Sequence, residues 1–275
     1  MTFTLNCKGR LLVAREPLVM GILNATPDSF YEKSRFLNQD ALLNHAEKML
    51  REGAGILDIG GQSTRPGAPQ VGITEECERV IPAIKALSSR FPEAILSVDT
   101  YHARVAQEAV DAGASMVNDI SGGNLDPDMI PTVATLRVPY VCMHSKGDPK
   151  TMQAQASYND LAGELLDYFI AKRQQCLVAG ITDLIIDPGF GFAKNSSHNF
   201  ELLKQLPVFR MIGCPLLLGL SRKSTIYKTL GIGPEEALNG STVLNTVGLL
   251  YGADILRVHD VREAKQAVKL VAHVR

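Results

Sequence analysis

ILSVDTYHARVAQEAVDAGASMVND, residues Ile95–Asp119, is the stretch that decides the fold. It opens on a short apolar run, Ile95–Val98, passes the polar pair Asp99-Thr100, and enters an amphipathic segment of helical period, His102–Ala112. Gly113-Ala114 then supplies the left-handed residue that stops a helix and turns the chain into a new strand at Met116–Val117. Strands apolar on both faces and joined by a helical crossover belong to a parallel sheet.

The same alternation extends in both directions. Further strands are expected at Leu18–Leu23, Ile56–Ile59, Tyr140–Met143, Leu184–Ile186, Leu216–Leu220 and Ile255–Val258. Amphipathic segments such as Asp40–Glu52, Thr74–Arg90, Tyr158–Ala179 and Val261–Val274 lie between or after them. In Thr74–Arg90, Val80, Ile81, Ile84 and Leu87 recur at helical spacing, as packing against a sheet requires. Gly53-Ala54, Gly180-Ile181 and Gly252-Ala253 repeat the stop signal. Eight units in 275 residues predict one α/β domain over residues 1–275, a (β/α)8 TIM barrel. Phe3–Leu5 and Arg10–Val13 read as a short N-terminal β-hairpin capping its bottom.

Composition narrows the function. A formal charge of −1, without a long Lys/Arg run, argues against a nucleic-acid partner. The polar N-terminus and the lack of a long apolar run predict no signal peptide and no membrane span. Cys7, Cys77, Cys142, Cys176 and Cys214 are odd in number and lack CxxC spacing, so reduced thiols in a cytoplasmic protein are expected.

Each strand run is followed at once by polar residues that a structural loop does not need. Asn24, Thr26, Asp28 and Ser29 follow the first strand; Asp58 and Gln62–Pro66 belong to the second. Asp99, Asn118, Asp119, His144 and Asp187 end the next four, Ser221–Ser224 the seventh, and Arg257 and His259 straddle the end of the eighth. That edge carries the chemistry of α/β barrels. Singly, each has a structural reading: Asp28, Ser29 and Ser224 as helix caps, Asp58 as a buried acid paired with a neighbouring strand, His144 and Asp119 as satisfied rim residues. Together, so many desolvated polar groups are costly unless they pair with each other or with a ligand. Carboxylates and an amide at neighbouring strand ends suit the donor-rich edge of a 2-amino-4-oxo-pyrimidine ring, and Lys223 suits its opposite side. Thr64, Arg65, Arg257 and His259 form a cationic group suited to phosphate, and Asn24 offers oxygen to Mg2+. The combination reads as a transferase acting on a pyrophosphate ester.

Asn24-Ala-Thr26-Pro27-Asp28-Ser29-Phe30 and Asp58-Ile-Gly60-Gly61-Gln62-Ser63-Thr64-Arg65-Pro66-Gly67 resemble the first two signatures of the dihydropteroate synthase family. Ser97–Thr100, Val117–Ile120, Met143-His144, Asp187–Phe192, Ser221–Ser224 and Arg257–Asp260 match that family in order over nearly the whole chain. The resemblance implies condensation of a 6-hydroxymethyl-dihydropterin pyrophosphate with p-aminobenzoate, giving dihydropteroate and pyrophosphate. It implies that Asp99, Asn118, Asp187 and Lys223 hold the pterin, with Met143 and Phe192 also at the substrate site. Asn24, Arg65, Arg257 and His259 would hold the pyrophosphate, with Mg2+ at Asn24, and Phe30, Thr64, Arg65, Pro66 and Ser224 would form the p-aminobenzoate pocket. Asp99, Lys223, Arg257 and His259 would be the catalytic groups, and the partners are small-molecule substrates and a second copy in a homodimer. The face Val243, Val247, Leu250, Tyr251 is compatible with that dimer and equally with burial against the barrel.

Two positions depart from the family. Tyr31-Glu32-Lys33-Ser34-Arg35 replaces Ser-Asp-Gly-Gly, which predicts a stiffer, bulkier first loop. Gln62 stands where Glu is frequent, removing one negative charge. A pterin-binding barrel methyltransferase shares the Asp/Asn pocket but has no need of Thr64-Arg65-Pro66, Ser221-Arg222-Lys223 or Arg257-Val-His259. A non-catalytic pterin binder has no leaving group for Arg257 and His259 to stabilise.

Overall fold

A computed structural model of the chain describes residues 2–25, 35–62, 71–148 and 150–274. Strands β1 (Phe3–Cys7) and β2 (Arg10–Ala14) pair as an antiparallel hairpin. Eight parallel strands follow: β3 (Leu18–Asn24), β4 (Ile56–Gly60), β5 (Leu96–Asp99), β6 (Met116–Asp119), β7 (Tyr140–Met143), β8 (Leu184–Asp187), β9 (Leu217–Leu218) and β10 (Ile255–Val258). The helices between and after them are α1 (Arg35–Glu52), α2 (Ile73–Arg90), α3 (Ala103–Ala112), α4 (Met129–Leu136), α5 (Leu161–Ala179), α6 (Ser196–Lys204), α7 (Ser224–Leu230), α8 (Leu238–Leu250) and α9 (Val261–Val271). The sheet runs β8-β7-β6-β5-β4-β3-β10-β9, and a parallel bridge from Ile186 to Leu216 joins its two edges. The expected barrel and hairpin are both present.

The interior is layered because side chains two residues apart on a strand share a face. Met20, Ile56, Ile95, Met116, Val141, Ile185, Leu217 and Ile255, one from each barrel strand or its lead-in, form an apolar floor with Leu5 and Cys7 of the hairpin. Two residues further along the same strands come Ile22, Asp58, Ser97, Asn118, Met143, Asp187, Gly219 and Arg257, where polar residues take over. Residues of the opposite parity, among them Leu57, Ile59, Val98, Val117, Cys142, Ile186, Leu218 and Leu256, pack outward with Val80, Ile84 and Leu87 of α2. The core is therefore a shell outside the strands plus a plug at their lower end.

Local differences from the sequence reading have local causes. The run Leu216–Leu220 contributes only two strand residues; Leu216 itself gives its N–H to Asp254 Oδ2 at 3.0 Å and joins the sheet by its bridge to Ile186. Helix α5 begins at Leu161, not Tyr158, where Asp160 caps it by accepting from the Gly163 N–H at 3.1 Å. Ser224 is the first helical residue of α7; Lys223, in extended conformation, is the cap. Gly113 ends α3 at φ 127°, as expected, and Gly53, Gly180 and Gly252 take positive φ likewise. Val243, Leu250 and Tyr251 are exposed, so burial against the barrel accounts for Val247 alone among that face.

Candidate active site at the upper end of the barrel

The polar layer is knit together by Arg257. Its Nε donates to Asp58 Oδ2 at 2.6 Å and its Nη2 to Asp99 Oδ2 at 2.5 Å. Asn118 Nδ2 donates to the same Asp58 oxygen at 2.9 Å. Asp58 is 0% exposed, as expected of a buried acid, but it pairs with an amide on β6 and a guanidinium on β10 and not with a strand neighbouring β4. Among the described residues its Oδ1 has no hydrogen-bond partner. Burial, resisted by Arg257 and reinforced by Asp58 and Glu76, pushes the Asp99 carboxyl above the usual range. For Arg257, burial opposes the charge, but Asp58 and Asp99 outweigh it and hold the guanidinium ionised. Among the described residues its Nη1 makes no hydrogen bond.

A second group stands across the barrel. Asp187 Oδ1 accepts from the Gly189 N–H at 2.8 Å. Lys223 Nζ donates to the Phe190 carbonyl and lies 4.7 Å from the Phe192 ring centre. A Cβ at Gly219 would lie in ordinary contact with Lys223 Nζ at 3.7 Å and Asp187 Oδ2 at 3.9 Å, which places this glycine beside both groups. Burial lowers Lys223 to about 8, with Asp187 opposing. It raises Asp187, with Lys223 opposing. Met143 and Phe192 are buried beside this group in a small cluster with Tyr101, Ile120, Met152 and Ala193.

Ser221 and His259 occupy the rim. His259 N–H donates to Ser221 Oγ at 3.2 Å, and His259 Nδ1 lies 3.1 Å from the same hydroxyl. Arg222, at φ 54°, makes a bidentate pair with Asp260 at 2.8 Å through Nε and Nη2. The Lys223 turn and the His259 turn are thereby tied to each other. Asn24 ends β3 with an exposed side chain. Thr26, Asp28, Ser29, Phe30, the 31–34 part of the first loop, Thr64, Arg65 and Pro66 lie outside the described residues.

The structure thus brings Asp99, Asn118 and Arg257 into one hydrogen-bonded group and Asp187 and Lys223 into another. Arg257 bonds to Asp58 and Asp99 as well as standing near His259 in sequence, so the cationic and carboxylate groups share it. Sequence reasoning missed Lys194 and Glu76. Both are buried charges, and a charged residue in a motif-flanking or helical position gives no sign of burial by itself.

Gln62 gains a reason. Its Nε2 donates to Glu76 Oε2 at 2.9 Å, and its Oε1 accepts from the Tyr101 hydroxyl at 3.1 Å. Glu76 is 0% exposed and its carboxyl is raised by burial. Gln62→Glu would set two buried carboxylates against each other, and they would share a proton. Their folded-state pKa then rises, so stability is present at low pH and is lost as pH climbs through it. The variant is expected to be less stable by about 1–3 kcal/mol at pH 8 and nearly normal at pH 5. Thermal melts at the two pH values would show this; an equal deficit at both would refute it.

The sequence pattern of the pterin binding enzyme family matches residues 20–259. The dihydropteroate synthase of Escherichia coli K12 is 43% identical over 266 residues, covering 96% of this chain and 94% of that protein. The chain belongs to the dihydropteroate synthase family. It is a transferase of that kind, and its barrel superimposes on the family's solved structures. The Yersinia pestis synthase, solved with a sulfonamide drug, matches at a TM-score of 0.92 and 41% identity over 99% of both chains. The Xanthomonas albilineans synthase, solved with 4-aminobenzoic acid, matches at 0.91 and 40%, covering 100% of this chain and 98% of that one. The methyltransferase reading fails against relatives of this similarity. No helix among the described residues is long and apolar enough to cross a membrane, and no cluster of three or more His, Cys, Asp or Glu side chains among them could hold a metal ion alone.

Proposed function

We propose that the chain joins the methylene carbon of a 6-hydroxymethyl-dihydropterin pyrophosphate to the amine of p-aminobenzoate by dissociative loss of pyrophosphate. The observation that carries this is the Arg257 guanidinium, set between Asp58 and Asp99 with Nη1 making no bond to the described residues. Asp99, Asn118 and Asp187 accept from the ring N–H groups of the pterin, and Lys223 donates to its oxygen. Met143 and Phe192 wall the ring. As the C–O bond breaks, its electron pair leaves with pyrophosphate, and the methylene becomes a cation stabilised by the electron-rich ring and the nearby Asp99 carboxylate. Arg257 and His259 face the charge growing on the leaving group; because Asp58, Asp99 and Ser221 already hold them, little reorganisation accompanies the reaction. The amine nitrogen then forms the C–N bond and sheds a proton. No protein nucleophile takes part, and the described cysteines are free, four of them buried.

Asn24 would hold Mg2+ through its amide oxygen. A single protein oxygen fits this ion only together with phosphate oxygens and water, which is how Mg2+ commonly binds. When bound, the ion neutralises charge on the leaving group. Phe30, Thr64, Arg65, Pro66 and Ser224 are assigned to p-aminobenzoate. Homodimerisation through the exposed Val243, Leu250 and Tyr251 completes the proposal, and a monomer by light scattering at micromolar concentration would remove that part. The reaction is tested by mixing protein, pterin pyrophosphate, Mg2+ and p-aminobenzoate. Pyrophosphate release is expected only when the arylamine is present; pterin binding without turnover would favour a binder.

A further inference from the structure

Among the described residues Lys194 is the most deeply buried cation that the proposed reaction does not use, at 2% exposed. Its ammonium lies 3.1 Å from each of three acceptors: His144 Nδ1, the Gly189 carbonyl and the Phe192 carbonyl. Three donor hydrogens meet three acceptors, a match that only the protonated amine provides; burial lowers the amine to about 7, with Asp187 opposing, so the match is complete on the acid side of that value. His144 is suited to accept. Burial, with Lys194 and Lys146 adding to it, lowers its pKa to about 2, so the ring is neutral, and Nδ1 accepts when the proton sits on Nε2. The segment so gripped holds Gly189, Gly191 and Ala193 at positive φ, a shape that does not persist unless surroundings enforce it. The same segment offers the Phe190 carbonyl and the Phe192 ring to Lys223. On its outer side Gln153 Nε2 donates to the Gly191 carbonyl at 2.8 Å.

We infer that Lys194 is a positioning residue for the pterin pocket: its ammonium clamps residues 189–193 between β8 and His144, and that clamp places the Lys223 head group opposite Asp187. The inference rests on the assignment of Lys223 and Asp187 to the pterin. The charged and titratable groups facing Lys194 are Asp187, Lys223, Lys146 and the neutral His144, with the Tyr158 ring 5.9 Å away. Lys194 in turn pulls the Asp187 carboxyl down, against the burial that raises it. Removing its charge therefore moves the Asp187 titration upward.

The test uses a 6-hydroxymethylpterin as probe, with binding followed by fluorescence from pH 4 to 9, beside steady-state kinetics. Lys194→Met is expected to raise the pterin Kd about tenfold or more, to leave KM for p-aminobenzoate within about twofold, and to shift the acid limb of pterin binding to higher pH. Gln153→Ala, an exposed change that leaves the core alone, is expected to raise the same Kd by about two- to threefold. Lys223→Met is the control. A folded Lys194→Met variant with unchanged pterin Kd and acid limb overturns the inference. If Lys194→Met does not fold, an unchanged Kd in Gln153→Ala overturns it. An unchanged Kd in Lys223→Met, whatever the others do, overturns the pocket assignment and the clamp's action through Lys223 with it.

Discussion

Replacing Arg257 with methionine is expected to lower kcat/KM by about two to three orders of magnitude and to leave a protein that tolerates acid better than alkali. The rate effect follows from removing one guanidinium that contacts Asp58 and Asp99 and that the proposed mechanism sets against the leaving group. Charge-assisted contacts are worth about 1.5–3 kcal/mol each, and each 1.36 kcal/mol is a factor of ten. The stability effect follows from what remains. Asp58 and Asp99 become buried carboxylates without a counterion, at a cost of about 3–5 kcal/mol if both stay ionised. Protonation relieves this: the Asp99 carboxyl, already raised by burial, rises further once Arg257 no longer holds it down, and the sign is fixed. The variant's deficit is small at pH 5 and grows as pH rises. Adding Asp58→Asn is expected to recover much of the loss at pH 8. Melting curves for the single and double variants decide the matter: a deficit flat from pH 5 to 8, or no recovery, would show that the triad does not act as a unit. Unchanged kcat/KM would refute the leaving-group role.

The second large effect is expected at Gly189. Its φ is 73°, and a Cβ there would meet the His144 carbonyl oxygen at 2.0 Å and its carbon at 3.1 Å. Both obstacles are backbone, and His144 is itself fixed by its N–H bond to the Asp187 carbonyl at 3.0 Å. Gly189→Ala should therefore cost the left-handed penalty of about 1–2 kcal/mol plus overpacking of about 1–3 kcal/mol. The segment must move, and the Phe190 carbonyl and Phe192 ring move with it away from Lys223. Gly191 is the internal comparison. Its φ is 80°, but an added Cβ would meet only Lys223 Cδ at 3.3 Å, part of a flexible side chain. Gly191→Ala should lose roughly the conformational penalty alone. Chemical denaturation of the two variants separates them; equal losses would mean the His144 contact is not what makes Gly189 necessary.

How much of this could be read beforehand differs between fold and site. Short runs such as Leu18–Leu23 and Tyr140–Met143 are apolar at both parities because both faces are packed, so the barrel strands were legible. Helix α8 is harder to read, since Gly240 and Gly248 weaken the pattern. They are there because a Cβ would meet Ile226 Cγ2 at 2.3 Å and Leu218 Cδ2 at 2.2 Å. In the site, the identity of the polar residues was visible from their place at strand ends. Their partners were not. Arg257 meets residues 199 and 158 positions away, a pairing that exists only once the sheet has closed. Lys194 was missed for the same reason: two of its acceptors are main-chain carbonyls, which no side-chain pattern reports.

The hairpin of β1 and β2 has a consequence for traffic. With Leu5 and Cys7 stoppering the lower end, the barrel is a blind well, and everything that enters leaves by the same opening. A ring seated on the Asp58–Asn118–Asp187 layer lies beneath any molecule bound nearer Asn24 and His259, so arrivals and departures form a queue in which the deepest guest goes last.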